Sequence, residues 1–142
     1  MQLVRGIEMQ DRFKFRIFEY ETKEMVELDA IGYSSFDPFA EGKSRLIMIP
    51  SGLGNTFHYD KQCLYDNDKF SEPMQSTGLK DKNGKLIYEG DIVKETLTDF
   101  INEEIITVVK WDKLNVTYNL ENLQNCEIEV IGNIYENEEL LE

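Results

Sequence analysis

The chain has almost none of the residues from which metal and nucleophile sites are usually built. It holds one histidine, His58, and two cysteines, Cys63 and Cys126, which stand 63 positions apart without CxxC spacing. That pattern argues against a zinc site and predicts two reduced thiols that pack as small hydrophobes. An apolar run of about 18 residues, the minimum for a membrane-spanning helix, is missing. The opening MQLVRGIEMQDRFKFR lacks the apolar core and small-residue cleavage site of a secretory signal, so a soluble, cytoplasmic protein is expected. Positive charge is scarce, with 15 Lys and Arg against 28 Asp and Glu, for a formal net charge of -13. The C-terminal half is the more acidic, residues 73–142 carrying six basic against fifteen acidic side chains. Such a field repels nucleic-acid phosphates, and direct nucleic-acid binding is disfavoured except through a local basic patch.

No long helical period is present either, and what remains is strand patterning. Lys14-Phe15-Arg16-Ile17-Phe18-Glu19-Tyr20 alternates, with a parity change at Ile17-Phe18 that calls for a bulge or for a strand covered on both sides. After the turn Glu21-Thr22-Lys23-Glu24, Met25-Val26-Glu27-Leu28 reads as the return strand of a hairpin. Residues 30–75 are turn-rich, with RLIMI a short strand and a short helix allowed around Lys61 to Tyr65. Asn83-Gly84 predicts a type I′ hairpin turn, both central residues at positive φ, pairing Leu79–Lys82 with Lys85–Tyr88. Gly90 and Asp91 punctuate before a strand opening at Ile92-Val93. Further strands are expected at Ile105–Trp111, Val116–Leu120 and Ile128–Tyr135, the last interrupted by Gly132 where the chain bends or is closely approached.

These signals predict a mainly β chain, with α+β as the alternative: an N-terminal β-hairpin region followed by a small SH3-like β-barrel, an OB-like barrel being left open. The expected organisation is a possible extension over 1–12, a β-rich region with irregular loops over 13–75, the barrel over 76–137, and an acidic tail over 138–142. Leu140 and Leu141 in that tail are able to dock on a neighbouring surface.

Candidate chemistry is thin. Lys80, Lys82 and Lys85 flank a glycine and are the possible anion contacts, but the spacing fits neither GxxxxGK[ST] nor GxGxxG, and no helix follows. Solvated hairpin charges are the favoured reading. Pro50–Asn55 holds two close glycines without the rest of a dinucleotide fingerprint. His58 would have to serve Ser51 or Cys63, neither in a nucleophile context, and adjacent acids such as Glu103-Glu104 carry little information among 28. Trp111 and Tyr118 are read as core residues rather than a stacking surface. No catalytic, cofactor-binding or metal-binding residue is assigned, and no cofactor is expected.

Met74–Val93, containing Gly78-Leu79-Lys80-Asp81-Lys82-Asn83-Gly84-Lys85-Leu86-Ile87-Tyr88-Glu89-Gly90-Asp91, resembles the central signature of the YopX family of phage and prophage proteins. Glu129-Val130-Ile131-Gly132-Asn133-Ile134-Tyr135-Glu136-Asn137 resembles its C-terminal signature, and Lys14-Phe15-Arg16 with Met25-Val26 its N-terminal one. Ser76 departs from the family's usual aromatic, Phe18 from a frequent nearby tryptophan, and Glu138 from a frequent proline. The family's recurrent residues here are Gly78, Asn83, Gly84, Tyr88, Gly90, Asp91, Gly132 and Asn133, most of which the turn reading already assigns to architecture. The resemblance implies a small phage-encoded protein of the bacterial host's cytoplasm, without established activity, for which homo-oligomeric assembly fits. The leading expectation is a non-enzymatic, self-associating protein-interaction module with an unknown protein partner and no membrane. The alternatives are an acidic mimic of nucleic acid that inhibits a host DNA-binding protein, and a weak anion or nucleic-acid binder using the 80–85 hairpin.

Overall fold

β-Branched and aromatic side chains cluster in short runs separated by Gly, Asn and Asp, and each described run becomes a strand. A computed structural model of the chain describes residues 13–34, 45–50, 66–97, 103–114, 117–120 and 126–142. Among these the chain is mainly β, as expected, with a 3₁₀ turn at Glu138–Leu141. It divides into two compact units, Lys14–Pro73 and a second built on Met74–Glu142.

The first unit contains β1 (Phe15–Glu19), β2 (Glu24–Ser34) and β3 (Arg45–Pro50), each antiparallel to the next. The hairpin pairs Glu19 with Glu24 and Phe15 with Leu28 without a register shift. Arg16, Ile17 and Phe18 are all buried, so the parity change reflects a strand covered on both faces rather than a bulge. Lys23 absorbs the turn at φ 60°, and the return strand opens at Glu24, one residue earlier than the sequence pattern placed it. Ile17, Leu28 and Met48 form the core, with Phe15, Val26, Ile31 and Phe70 against it. The main-chain N–H of Phe18 donates to Ser71 Oγ (2.9 Å) while its carbonyl accepts from Ser71 N–H (2.9 Å), which binds the 66–73 segment to β1. The irregular region begins later than expected, because β2 continues through Ser34 to pair with all of β3. The helix allowed at Lys61–Tyr65, Ser51 with the rest of the Pro50–Asn55 glycine loop, His58 and Cys63 lie outside the described residues.

The second unit is a small curled barrel of antiparallel strands. β4 (Met74–Lys80) pairs with β5 (Leu86–Tyr88), and β6 (Asp91–Leu97) lies between β7 (Glu103–Val108) and β10 (Cys126–Asn133). β8 (Trp111–Asp112) and β9 (Thr117–Tyr118) form a two-residue ribbon. Ile87, Val93, Val109 and Ile128 fill the core, with Leu79, Tyr118, Leu120, Cys126 and Val130 packed around them. The strand expected through Trp111 ends at Val108 because Asn119 intervenes. Its Oδ1 accepts from Lys110 N–H (2.7 Å), and its Nδ2 donates to the Val108 carbonyl (2.8 Å), which takes these groups out of the ladder. Trp111 consequently lies on the surface, 44% exposed, edge-on to Tyr118 at 5.1 Å, rather than in the core.

Two glycines are required for different reasons. Gly84 has φ +82° with open space where a Cβ would stand, so only its backbone angle demands glycine. Gly132 sits at the register shift of β10, and a Cβ there would meet Asn137 Oδ1 at 2.6 Å and Asn137 Cβ at 2.7 Å. Gly132→Asn should therefore lower unfolding free energy by roughly 1–3 kcal/mol through overpacking. Gly84→Asn, at a position where asparagine tolerates the left-handed region, should cost less than about 1 kcal/mol. Urea denaturation of the two variants measures the difference.

Candidate functional site

The segment from Gly78 to Asp91 concentrates the polar residues of the barrel, and its centre is Asp81. This carboxylate is 7% exposed. Its Oδ1 accepts from Asn83 N–H and Lys85 N–H, both at 2.9 Å, and its Oδ2 accepts from Val130 N–H at 3.0 Å. Asp81 N–H also donates to the Lys85 carbonyl (2.8 Å), Gly84 N–H to the Asp81 carbonyl (3.0 Å), and Lys82 N–H to the Ile128 carbonyl (2.9 Å). One side chain therefore organises its own turn and ties it to β10 beside the bulge.

That arrangement corrects the turn type. Lys23 is the only described non-glycine residue at positive φ, so Asn83 does not adopt the angle a type I′ turn needs. The loop is a turn of type I hand over Lys82-Asn83 followed by Gly84 as a bulge, and Lys80 pairs with Leu86. The physical reason is the Asp81 carboxylate, which draws in the N–H groups two and four residues ahead. Burial raises the Asp81 pKa. The N–H groups of Val130, Lys85 and Asn83, with the Lys85 charge, outweigh burial and hold it below the ordinary aspartate value.

The neighbouring nodes are built the same way. β4 kinks at Gly78 (φ 78°), where Thr77 Oγ1 donates to the Ile87 carbonyl (2.9 Å) and accepts from Leu79 N–H (3.1 Å), while Ser76 Oγ accepts from Gly78 N–H (3.0 Å). Asp91 Oδ2 accepts from the N–H of buried Tyr88 (2.8 Å), and Gly90 (φ 81°) exchanges main-chain bonds with Val109 and Ile134. Asn133 Oδ1 accepts from Tyr135 and Glu136 N–H, both 3.0 Å, and its Nδ2 donates to Glu136 Oε2 (2.7 Å). Asn137 Oδ1 in turn accepts from Asn133 N–H at 3.2 Å. Each of these groups closes a main-chain gap at a bend.

The three lysines surround this node on its wet side, all exposed. Lys82 Nζ lies 3.2 Å from Glu129 Oε2, and Lys94 Nζ lies 3.7 Å from Glu129 and 3.7 Å from Glu104. Glu104, Lys94, Glu129 and Lys82 therefore alternate in sign across β7, β6, β10 and the 81–85 loop. A bound anion would have to compete with these carboxylates for Lys82. Among the described residues no cluster of three His, Cys, Asp or Glu is arranged to hold a metal ion, and no helix is long and apolar enough to cross a membrane. Asp91 and Glu95 are deeply buried carboxylates as well, Glu95 on β6 opposite Ile105 and Ile128.

The sequence profile described as YopX protein matches residues 14–142. The chain belongs to the YopX family. Two solved structures have a similar fold. Protein EF1440 from Enterococcus faecalis is 27% identical with a TM-score of 0.51, over 91% of this chain and 97% of that one. Protein YopX from Bacillus subtilis is 23% identical with a TM-score of 0.50, over 92% and 99% respectively. No curated protein sequence matches the chain.

Replacing Asp81 with alanine leaves three N–H donors without their acceptor, and should cost about 2–4 kcal/mol of unfolding free energy at neutral pH. A carboxylate held below its ordinary value contributes stability that is complete above that value and is lost as pH falls through the folded one. The gap between wild type and Asp81→Ala in urea melts should accordingly narrow in acid, below the ordinary aspartate range.

Proposed function

We propose that this YopX-family chain is a phage- or prophage-encoded, non-enzymatic interaction module that acts in the host cytoplasm and associates with itself. The observation that carries the reading is the β7 edge. Among the described residues β7 pairs with β6 alone, and it exposes Ile105 (37%) and Ile106 (50%) on opposite faces. An edge strand that exposes apolar side chains is a template for another strand.

The remaining polar groups support the same conclusion by what they are occupied with. Asp81, Asp91 and Asn133 are engaged by main-chain N–H groups, and Lys82 and Lys94 are paired with Glu129. Exposed apolar side chains also occur at the β8–β9 ribbon, where Trp111 is 44% and Leu114, just after β8, 94% exposed. The surface thus offers association more readily than chemistry.

Sedimentation velocity over a concentration series up to about 1 mM should show a mass that rises with concentration. A single monomeric species throughout would overturn self-association.

A further inference from the structure

We propose that Asn83-Gly84 is a latent self-modification site, at which the Asn83 carboxamide becomes a carboxylate once the Asp81 latch lets the 81–85 loop open. This goes beyond the self-association read above and does not rest on it. Asparagine is a chemically labile residue, and Asn83 is the one asparagine of the chain that glycine follows. With no side chain on Gly84, its nitrogen can approach the preceding carboxamide without hindrance. In the reaction Gly84 N–H gives its proton to hydroxide and the nitrogen attacks Asn83 Cγ. The Cγ–Nδ2 bond breaks, ammonia leaves with a proton from water, and a cyclic succinimide remains. Water then adds to one ring carbonyl and opens the ring, giving aspartate or, when the main-chain carbonyl is attacked, isoaspartate. In sum, carboxamide and water become carboxylate and ammonium, with no oxidation or reduction.

The fold holds this chemistry shut. Asn83 and Gly84 are both exposed, so water and hydroxide reach them. The nucleophile itself is engaged, since Gly84 N–H donates to the Asp81 carbonyl at 3.0 Å. A nitrogen held in this way keeps its proton and stays turned away from Asn83 Cγ. Its neighbours are fixed by the Asp81 carboxylate, whose Oδ1 accepts from Asn83 N–H and Lys85 N–H, both at 2.9 Å. Attack therefore waits for a local opening in which these bonds break together, and the carboxylate sets how often that opening occurs.

None of the products can rebuild the original loop. The succinimide nitrogen carries no hydrogen, so the Gly84 bond to the Asp81 carbonyl is lost in the ring. Isoaspartate inserts a further main-chain carbon between the two N–H groups that Asp81 Oδ1 accepts together. Aspartate instead places a second carboxylate close to the first, and their repulsion opposes closure. Asp81 Oδ2 accepts from Val130 N–H on β10 at 3.0 Å, so a change at the exposed loop is transmitted to the barrel wall.

The test follows the full chain by peptide mapping and mass spectrometry during incubation in mildly alkaline buffer, both folded and unfolded in guanidinium chloride. Conversion at Asn83 should be slower in the folded chain by about tenfold or more. Asp81→Ala, compared where circular dichroism shows it folded, should convert faster than folded wild type by about tenfold or more. If that variant does not fold, Asp81→Asn takes its place, because its Nδ2 cannot accept from Val130 N–H. Asn83→Ser has no carboxamide and should leave the loop unmodified. In the converted wild-type chain the Val130 N–H resonance should move from its native position. Equal rates in folded and unfolded wild type would overturn the shielding by the fold. A folded Asp81 variant no faster than wild type would overturn the assignment of Asp81 as the latch, and a converted chain with Val130 unmoved would overturn the link to β10.

Discussion

A carboxylate withdrawn from water and surrounded by N–H groups is the constraint on which the barrel's geometry depends. Asp81 accepts three main-chain donors, two from its own turn and one from Val130 on β10. An isolated buried charge would be prohibitive, but three amide dipoles pointed at two oxygens offset the lost hydration and keep the group ionised. The local and the long-range halves of this arrangement depend on each other. The turn presents the carboxylate, and β10 meets it along one edge, where the Ile128 carbonyl accepts from Lys82 N–H and Val130 N–H donates to Asp81 just before the bulge. Gly132 permits the bulge because Asn137 occupies the space a side chain would need.

Much of the fold was legible from pattern alone. Period-two alternation located the β1–β2 hairpin and most strands of the second unit, and a chain reversal was expected in the right stretch, at Asn83-Gly84. Its type and register were not, the turn being centred on Lys82-Asn83 with Lys80 paired to Leu86, because the dipeptide rule considers only the two central residues. Asp81 sits outside that window and changes the hydrogen bonding of the whole loop. The spacing of an acid two residues before Asn83 and four before Lys85 was the available signal. Asn119 evaded the reading for a related reason: its carboxamide acts on the Val108 carbonyl at the end of β7 and on the Lys110 N–H just beyond it, outside its own stretch of alternation. Strand ends set by such tertiary contacts are invisible to alternation. Trp111 was misplaced as a consequence, since an apolar residue past the break no longer faces the core.

The polar residues of the candidate region share one economy. Asp81, Asp91, Asn133, Thr77 and Ser76 each supply a side-chain oxygen where the main chain kinks and a ladder bond is lost. Ion pairs on the outer face are a different matter, being exposed and individually weak. Their effect is on surface potential, since they occupy Lys82 and Lys94 with carboxylates and leave the chain's field acidic. The proposed association through strand edges is compatible with such a surface, because main-chain hydrogen bonds do not require a partner of complementary net charge.

The central claim is that Asp81 is an ionised strut rather than a protonated buried acid. Carboxyl ¹³C NMR titration of the folded protein, with the Asp81 resonance assigned by substitution, measures it directly. The account predicts a titration midpoint below that of ordinary aspartate, with Val130 N–H shifting over the same pH range. A midpoint raised above the ordinary value would mean that burial prevails over the amide donors, and would contradict it.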